Sequence, residues 1–310
     1  MQQRSRHSGW LAMVAAFVVL VACSNHDYAD AQKLIAHKDY VHGLPLLTAA
    51  ATAGNRDAQA ELGAIYGNGR VVPLDYSRVI FWLSKAAAQG NAGAQYGLGK
   101  IYYKGLGVDV DYKKALALFE KGAAQDNENA TYMLGLSYLY GNGVPSNLAQ
   151  AKAYFEKGAE RNSSDAQNAI GIMYLSGNGA TQDYAKGLSY IQRAADQGNE
   201  QSQGVLAQVY FLGEGVPVDY EKSAAWGKKA AELGNAQAEY NLAIMYRDGL
   251  GVERNKIEAH KWFNLANARG NTKAATAQAE IETLMTQAQI AQSQKLAGDW
   301  MAAHPHLIDR

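Results

Sequence analysis

Apolar residues along this chain recur on two rhythms. Over short stretches they fall at helical spacing, as in Ala94, Leu98 and Tyr102, which places them on one face of an α-helix. Over longer stretches the same columns return every 36 residues. Leu62, Leu98, Leu134, Ile170, Leu206 and Leu242 form one such column. Tyr66, Tyr102, Tyr138, Tyr174, Tyr210 and Tyr246 form a second, and Gly69, Gly105, Gly141, Gly177, Gly213 and Gly249 a third. A fixed period of roughly 20–50 residues marks a solenoid or a repeat array.

The stretch 90–125 shows what one unit contains. Asn91 stands before the first helical pattern, where its side chain can cap the opening turn. Lys104-Gly105-Leu106-Gly107 ends that pattern, because paired glycines accept the left-handed backbone that other residues avoid. Asp111 then predicts the cap of a second helix from Tyr112 to about Ala124, with Ala115, Leu118, Phe119, Gly122 and Ala123 inward. A helix pair of this size cannot bury its own apolar face, so each copy must stack on its neighbours. On this reading the tyrosine column is core, and Tyr→Ala within it is expected to cost about 3–5 kcal/mol.

The residues A-x-x-x-L-G-x-x-Y-x-x-G-x-G-V, then Asp-Tyr-x-x-Ala, then an aromatic before Lys-x-Ala, resemble the Sel1-like repeat. The resemblance covers residues 54–269 in six copies, at 54–89, 90–125, 126–161, 162–197, 198–233 and 234–269. It implies an all-α fold, an α/α solenoid related to tetratricopeptide stacks, serving as a protein-binding scaffold. It implies no chemistry. The copies are not uniform. Copy one has Val71 at the second loop glycine, which predicts a different loop. Copy four opens with Asn162-Ser163-Ser164, copy five has Ala207 after its leucine and Gly227 inside its second helix, and copy six has Asn255-Lys256 for Asp-Tyr.

Both ends depart from the period. Residues 28–53 read as a degenerate leading half-repeat and cap, with Pro45 in the first turns of its second helix and expected to delay its start. Residues 270–310 read as a capping segment and tail. One long helix is expected from Thr272 to Ala297, with Ile281, Leu284, Met285 and Leu296 inside and Gly298 ending it. Trp300 and Met301 are expected to fold back on the last repeat. His304-Pro305-His306 suggests a metal only weakly, and a frayed terminus is the stronger expectation.

Ahead of the repeats, Arg4 and Arg6 precede an apolar run from Trp10 to Ala22, the layout of a secretory signal peptide over residues 1–22. Its end, Leu20-Val21-Ala22-Cys23, resembles the bacterial lipobox. That resemblance implies acylation of Cys23, the single cysteine of the chain, followed by a tether through residue 27. Ser24 after the cysteine favours, by the same resemblance, the outer membrane facing the periplasm. Several acyl chains on one residue anchor stably where one does not.

Charge adds little. Without Arg4 and Arg6 the 29 basic residues become 27 against 29 acidic ones, and no basic run points to nucleic acid. H-E-x-x-H, G-x-S-x-G, Walker and dinucleotide signatures are missing from the sequence. The expectation is a non-catalytic protein with no cofactor and no small-molecule substrate. In tetratricopeptide-like stacks the first helix of each pair lines the concave face, so a protein partner is expected there. Tyr96, Lys100, Tyr132, Leu136 and Tyr240 are the candidate contacts, with packing between adjacent first helices as the competing role. An envelope scaffold and an immunity lipoprotein that neutralises a secreted toxin effector both fit these features.

Overall fold

The computed structural model describes residues 25–307, apart from the side chain of His306. The leader 1–22, Cys23 and Ser24 lie outside the described residues. Among the described residues all regular structure is helical, and no strand occurs. Helix α1 spans 25–36 and α2 spans Tyr40–Thr52. The first helices of the six pairs are α3 (Arg56–Asn68), α5 (Ala92–Lys104), α7 (Glu128–Tyr140), α9 (Ser164–Ser176), α11 (Glu200–Leu212) and α13 (Ala236–Asp248). The second helices are α4 (Tyr76–Ala88), α6 (Tyr112–Ala123), α8 (Leu148–Glu160), α10 (Tyr184–Asp196), α12 (Tyr220–Glu232) and α14 (Lys256–Ala268). Helices α15 (Ala274–Glu282) and α16 (Gln287–Ala303) follow, then a short turn at Pro305–Leu307. The fold is a solenoid of helix pairs.

Local chemistry sets these boundaries. The first helices open on Asn55, Asn91, Asn127, Ser163, Asn199 and Asn235, whose side chains accept backbone N–H bonds. Asp75, Asp111, Asp183, Asp219 and Asn255 do the same for second helices, and Asn147 for α8, at 3.1 Å from the Gln150 nitrogen. Each such cap contributes about 1 kcal/mol. The first helices end on the glycine column, where φ lies between 65° and 77°. Between copies, Asp126 and Asn162 hold the left-handed position that glycine holds elsewhere, at φ 65° and 68°. Asp and Asn tolerate it better than most residues because their short side chains bond locally.

Two close approaches lock the stack. A Cβ on Gly99 would sit 2.6 Å from the Phe119 ring, so this glycine lets the two helices of a pair meet. A Cβ on Gly107 would sit 2.5 Å from the Tyr76 Cβ, and one on Gly143 2.5 Å from the Tyr112 carbonyl oxygen. The loops of copies two and three are thereby seated on the starts of α4 and α6. Copy one lacks this seat: Val71 packs instead into the leading cluster with Val72, and its loop has positive φ at Gly69 alone.

The chain divides into two compact units, one through Tyr154 and one from Phe155. In the first, α1 and α2 close the stack through Ala31, Leu47, Ala50 and Leu62. Pro45 does not delay α2. The helix starts at Tyr40, capped by Asp39, and carries Pro45 inside it. The carbonyl that Pro45 leaves unpaired belongs to Val41, whose side chain is exposed, so water can satisfy it. In the second unit the expected single capping helix is two. The chain breaks at 283–286, and Thr286 and Gln289 form a capping box that starts α16. Leu284, expected inside, is 62% exposed at that break, and Gly298 lies within α16 instead of ending it. Trp300 and Met301 pack on the last cluster, with the Trp300 ring 6.0 Å from that of Trp262. The tail is ordered by contacts through Leu307, which is 2% exposed and whose carbonyl accepts from Arg269 Nη1. A frayed terminus from His304 is therefore corrected.

The tyrosine column is also less deep than expected. Only Tyr174 is buried; Tyr66, Tyr102, Tyr138, Tyr210 and Tyr246 are half-buried. Each of these rings that has a described partner lies against the second helix of its own pair. Arg78, Lys114, Lys186 and Lys222 cover Tyr66, Tyr102, Tyr174 and Tyr210 at 4.3–5.2 Å. Tyr138 stacks on Tyr154 at 5.6 Å. The column is a set of amphipathic lids, in which a cation lies over a ring.

Candidate partner-binding face

The exposed side of the first helices carries the candidate residues. In the first unit α3 and α5 border an open groove of about 780 Å³. Its lining includes the small residues Gly63, Ala64, Gly93 and Gly97 together with Tyr96, Lys100 and Lys104. Tyr96 and Lys100 are therefore brought together. Lys100 is exposed, while Tyr96 is half-buried, its ring 6.4 Å from Phe119. Tyr132 and Leu136 lie on α7 and are half-buried against the cluster that also holds Tyr96. Tyr240 belongs to the second unit and packs on Phe263 at 5.7 Å. The four apolar candidates thus present an edge to solvent and a face to the core. Packing accounts for part of each.

Behind this face runs a polar ladder that the sequence reading did not name. Gln95 donates to the Ala87 carbonyl at 3.2 Å and accepts from Gln125 at 2.8 Å. Gln59 with Gln89, and Gln167 with Gln197, repeat the rung. In copy five the partner position holds Leu233, and Gln203 Oε1 has no hydrogen bond. In copy six the rung is ionic: Glu239, fully buried, accepts from Arg269 at 2.9 Å. Burial pushes the Glu239 carboxyl up to about 7 despite the guanidinium beside it. The signal was present as glutamine pairs spaced by 30 residues.

One cluster has the atoms of a nucleophile relay. His260 lies 2.8 Å from Ser293 Oγ through Nδ1 and 2.8 Å from Glu282 through Nε2. His260 and Ser293 are both 0% exposed, so the serine oxygen has no route to a substrate. The trio fastens α14 to α15 and α16, with the imidazole satisfied on both nitrogens. Among the described residues no group of three or more His, Cys, Asp or Glu is arranged to hold a metal, and no helix is long and apolar enough to cross a membrane. His304 stacks on Trp300 at 4.2 Å.

The Sel1 repeat matches six times, at residues 56–91, 92–127, 129–163, 164–199, 201–235 and 236–271. The crystal structure of a Sel1 repeat protein from Oxalobacter formigenes is similar, with 31% identity and a TM-score of 0.71, covering 83% of this chain and 76% of that one. The fold is shared with immunity protein Pa5087 from Pseudomonas aeruginosa, at 21% identity and TM-score 0.50, over 68% of this chain and 81% of that one. It is shared also with immunity protein PA5088 from the same organism, at 20% identity and TM-score 0.51, over 71% and 82%. No curated protein matches the chain.

Proposed function

The chain belongs to the Sel1 repeat family, and from that premise we propose that it is a lipid-anchored scaffold of the bacterial cell envelope. As a stack of Sel1 repeats it is a protein-interaction scaffold. The observation that carries the reading is the open groove beside α3 and α5, with Tyr96 and Lys100 in its lining. A preformed face that combines aromatic edges with a cation supplies the anchors on which interfaces depend. The anchor is Cys23, acylated after removal of residues 1–22, which holds this face at a membrane surface outside the cytoplasm, in the outer membrane facing the periplasm.

A second reading is an immunity lipoprotein that binds and neutralises a secreted toxin effector. Two proteins of the same fold are immunity proteins, so the fold accommodates that role. Loss of the chain separates the two. A scaffold is required in a lone culture, and an immunity protein only when its effector is present.

Labelling cells with an alkyne fatty acid tests the anchor. The chain should carry the label, and Cys23→Ser should lose it and leave the membrane fraction. A chain that stays unlabelled in the cytosol ends the proposal. The face is tested by capturing partners from envelope extract with the full chain. Lys100→Glu, at an exposed position, should weaken capture about tenfold without lowering the melting temperature. Undiminished capture by both Lys100→Glu and Tyr96→Ala removes this face from the reading.

A further inference from the structure

Copy five lacks the side chains that fill the interior of its relatives. Where copies two and six place Tyr96 and Tyr240 on the first helix, copy five has Gly204. Where they place Phe119 and Phe263 on the second helix, it has Gly227. In copies two and six these rings meet, at 6.4 and 5.7 Å. In copy five their absence leaves a pocket of about 220 Å³ between α11, α12 and α13. Neither glycine answers a local steric need. A Cβ on Gly227 would find only Ala207, at 3.7 Å, and one on Gly204 only the Asn235 amide, at 3.9 Å. Neither has a positive φ. Glycine inside a helix is about 1 kcal/mol less favourable than alanine, so the local helix does not explain two of them facing one space.

We propose that this pocket takes an aromatic side chain, tyrosine above all, from a protein partner. The inference rests on the scaffold reading and names the subsite through which a partner is held. The chain supplies its own template, since a tyrosine and a phenylalanine occupy the equivalent space in copies two and six. The lining is largely apolar, with Val205, Ala207, Leu242 and Met245 beside the buried Ser223. Size agrees, because an apolar void of about 150 Å³ is enough to admit a benzene ring. The mouth is polar. Gln208, Gln237 and Asn241 line it and suit a phenol hydroxyl and the backbone that follows it. Beyond the mouth the pocket continues, through Gln208, Phe211, Gln237 and Asn241, into a trough of about 390 Å³ that reaches Ile244 and Lys273. Lys273 makes no ion pair among the described residues. The partner segment therefore carries an Asp or Glu near its aromatic residue.

Titrating p-cresol, the tyrosine side-chain analogue, into the full chain with labelled methionine methyls tests the pocket. A saturable shift at Met245 is expected, weakened about tenfold or more in Gly227→Phe. No saturable shift, or equal affinity in that variant, overturns the proposal. Gly204→Tyr is a second filling variant that serves if Gly227→Phe does not fold. Selecting displayed random peptides on the full chain tests the partner. Enriched peptides should carry an aromatic beside an acidic residue and should lose about tenfold or more in affinity for the filled variants. Peptides that bind filled and parent chains alike overturn the subsite and leave the scaffold reading standing. Binding of p-cresol without any aromatic-dependent peptide overturns the protein partner in favour of a small phenolic ligand.

Discussion

Copies two and five stand on the same frame and differ in what fills it. Both open on asparagine, Asn91 and Asn199, and both cap the second helix with aspartate, Asp111 and Asp219. Both turn on paired left-handed glycines, Gly105 with Gly107 and Gly213 with Gly215. Inside, copy two has Tyr96 on Phe119 and a complete Gln95–Gln125 rung. Copy five has Gly204, Gly227 and a glutamine whose oxygen is unanswered. Caps, turns and contacts with neighbouring copies thus suffice to set the backbone. The interior can be spent on something else.

The comparison can be broken most forcefully at Phe119, which is 0% exposed. Phe119→Ala imports the vacancy of copy five into copy two and should cost about 3–5 kcal/mol in a urea titration. A cost below about 1 kcal/mol means that copy two does not rely on its filling.

The ionic rung of copy six sharpens the contrast through pH. The Glu239 pKa is raised from 4.5 to about 7 in the folded chain. The folded state therefore holds a proton that the unfolded chain has released between those values. Stability from this group is fully present below about pH 4.5 and lost as pH rises through about 7, by up to roughly 3 kcal/mol. Glu239→Gln, which restores the residue type of the neutral rungs, should flatten that part of the profile in melts run from pH 5 to 8. An unchanged slope would refute the assignment to Glu239.

The smallest effect is expected from repairing copy five. Leu233→Gln places an amide opposite Gln203, at a position that is 36% exposed. It should stabilise the chain by about 0.5–1.5 kcal/mol, the net value of one buried hydrogen bond. A neutral or negative result means that water already meets the Gln203 oxygen.

Much of this architecture can be read from the sequence because it repeats. Asn91, Asp111 and the glycine columns act through their own backbone within a few residues, so spacing alone finds them. The C-terminal cap is not legible in this way, because it does not repeat. Gly298 looked like a stop and sits within a helix, while the real boundary carried Thr286-x-x-Gln289, a capping box that a search for start signals would find. The His260–Ser293–Glu282 trio joins three helices with no common period. The candidate face was half legible. Helical spacing puts Tyr96, Tyr132 and Tyr240 on one side, but in a stack that side also meets the neighbouring pair. Periodicity cannot divide one ring between solvent and core. The pocket was visible as two glycines, Gly204 and Gly227, whose meeting across the helix pair only the fold reveals.

The seating of turns such as Gly107 and Gly143 on the preceding second helix bears on how such a chain changes length. Gly107 and Gly143 lie so close to Tyr76 and Tyr112 that even a methyl group would collide. Inserting or deleting a few residues between one seat and the next would slide every later turn off its support. Gain or loss of one whole 36-residue module leaves the joints intact. Arrays built in this way can grow or shrink in whole modules without disturbing their joints.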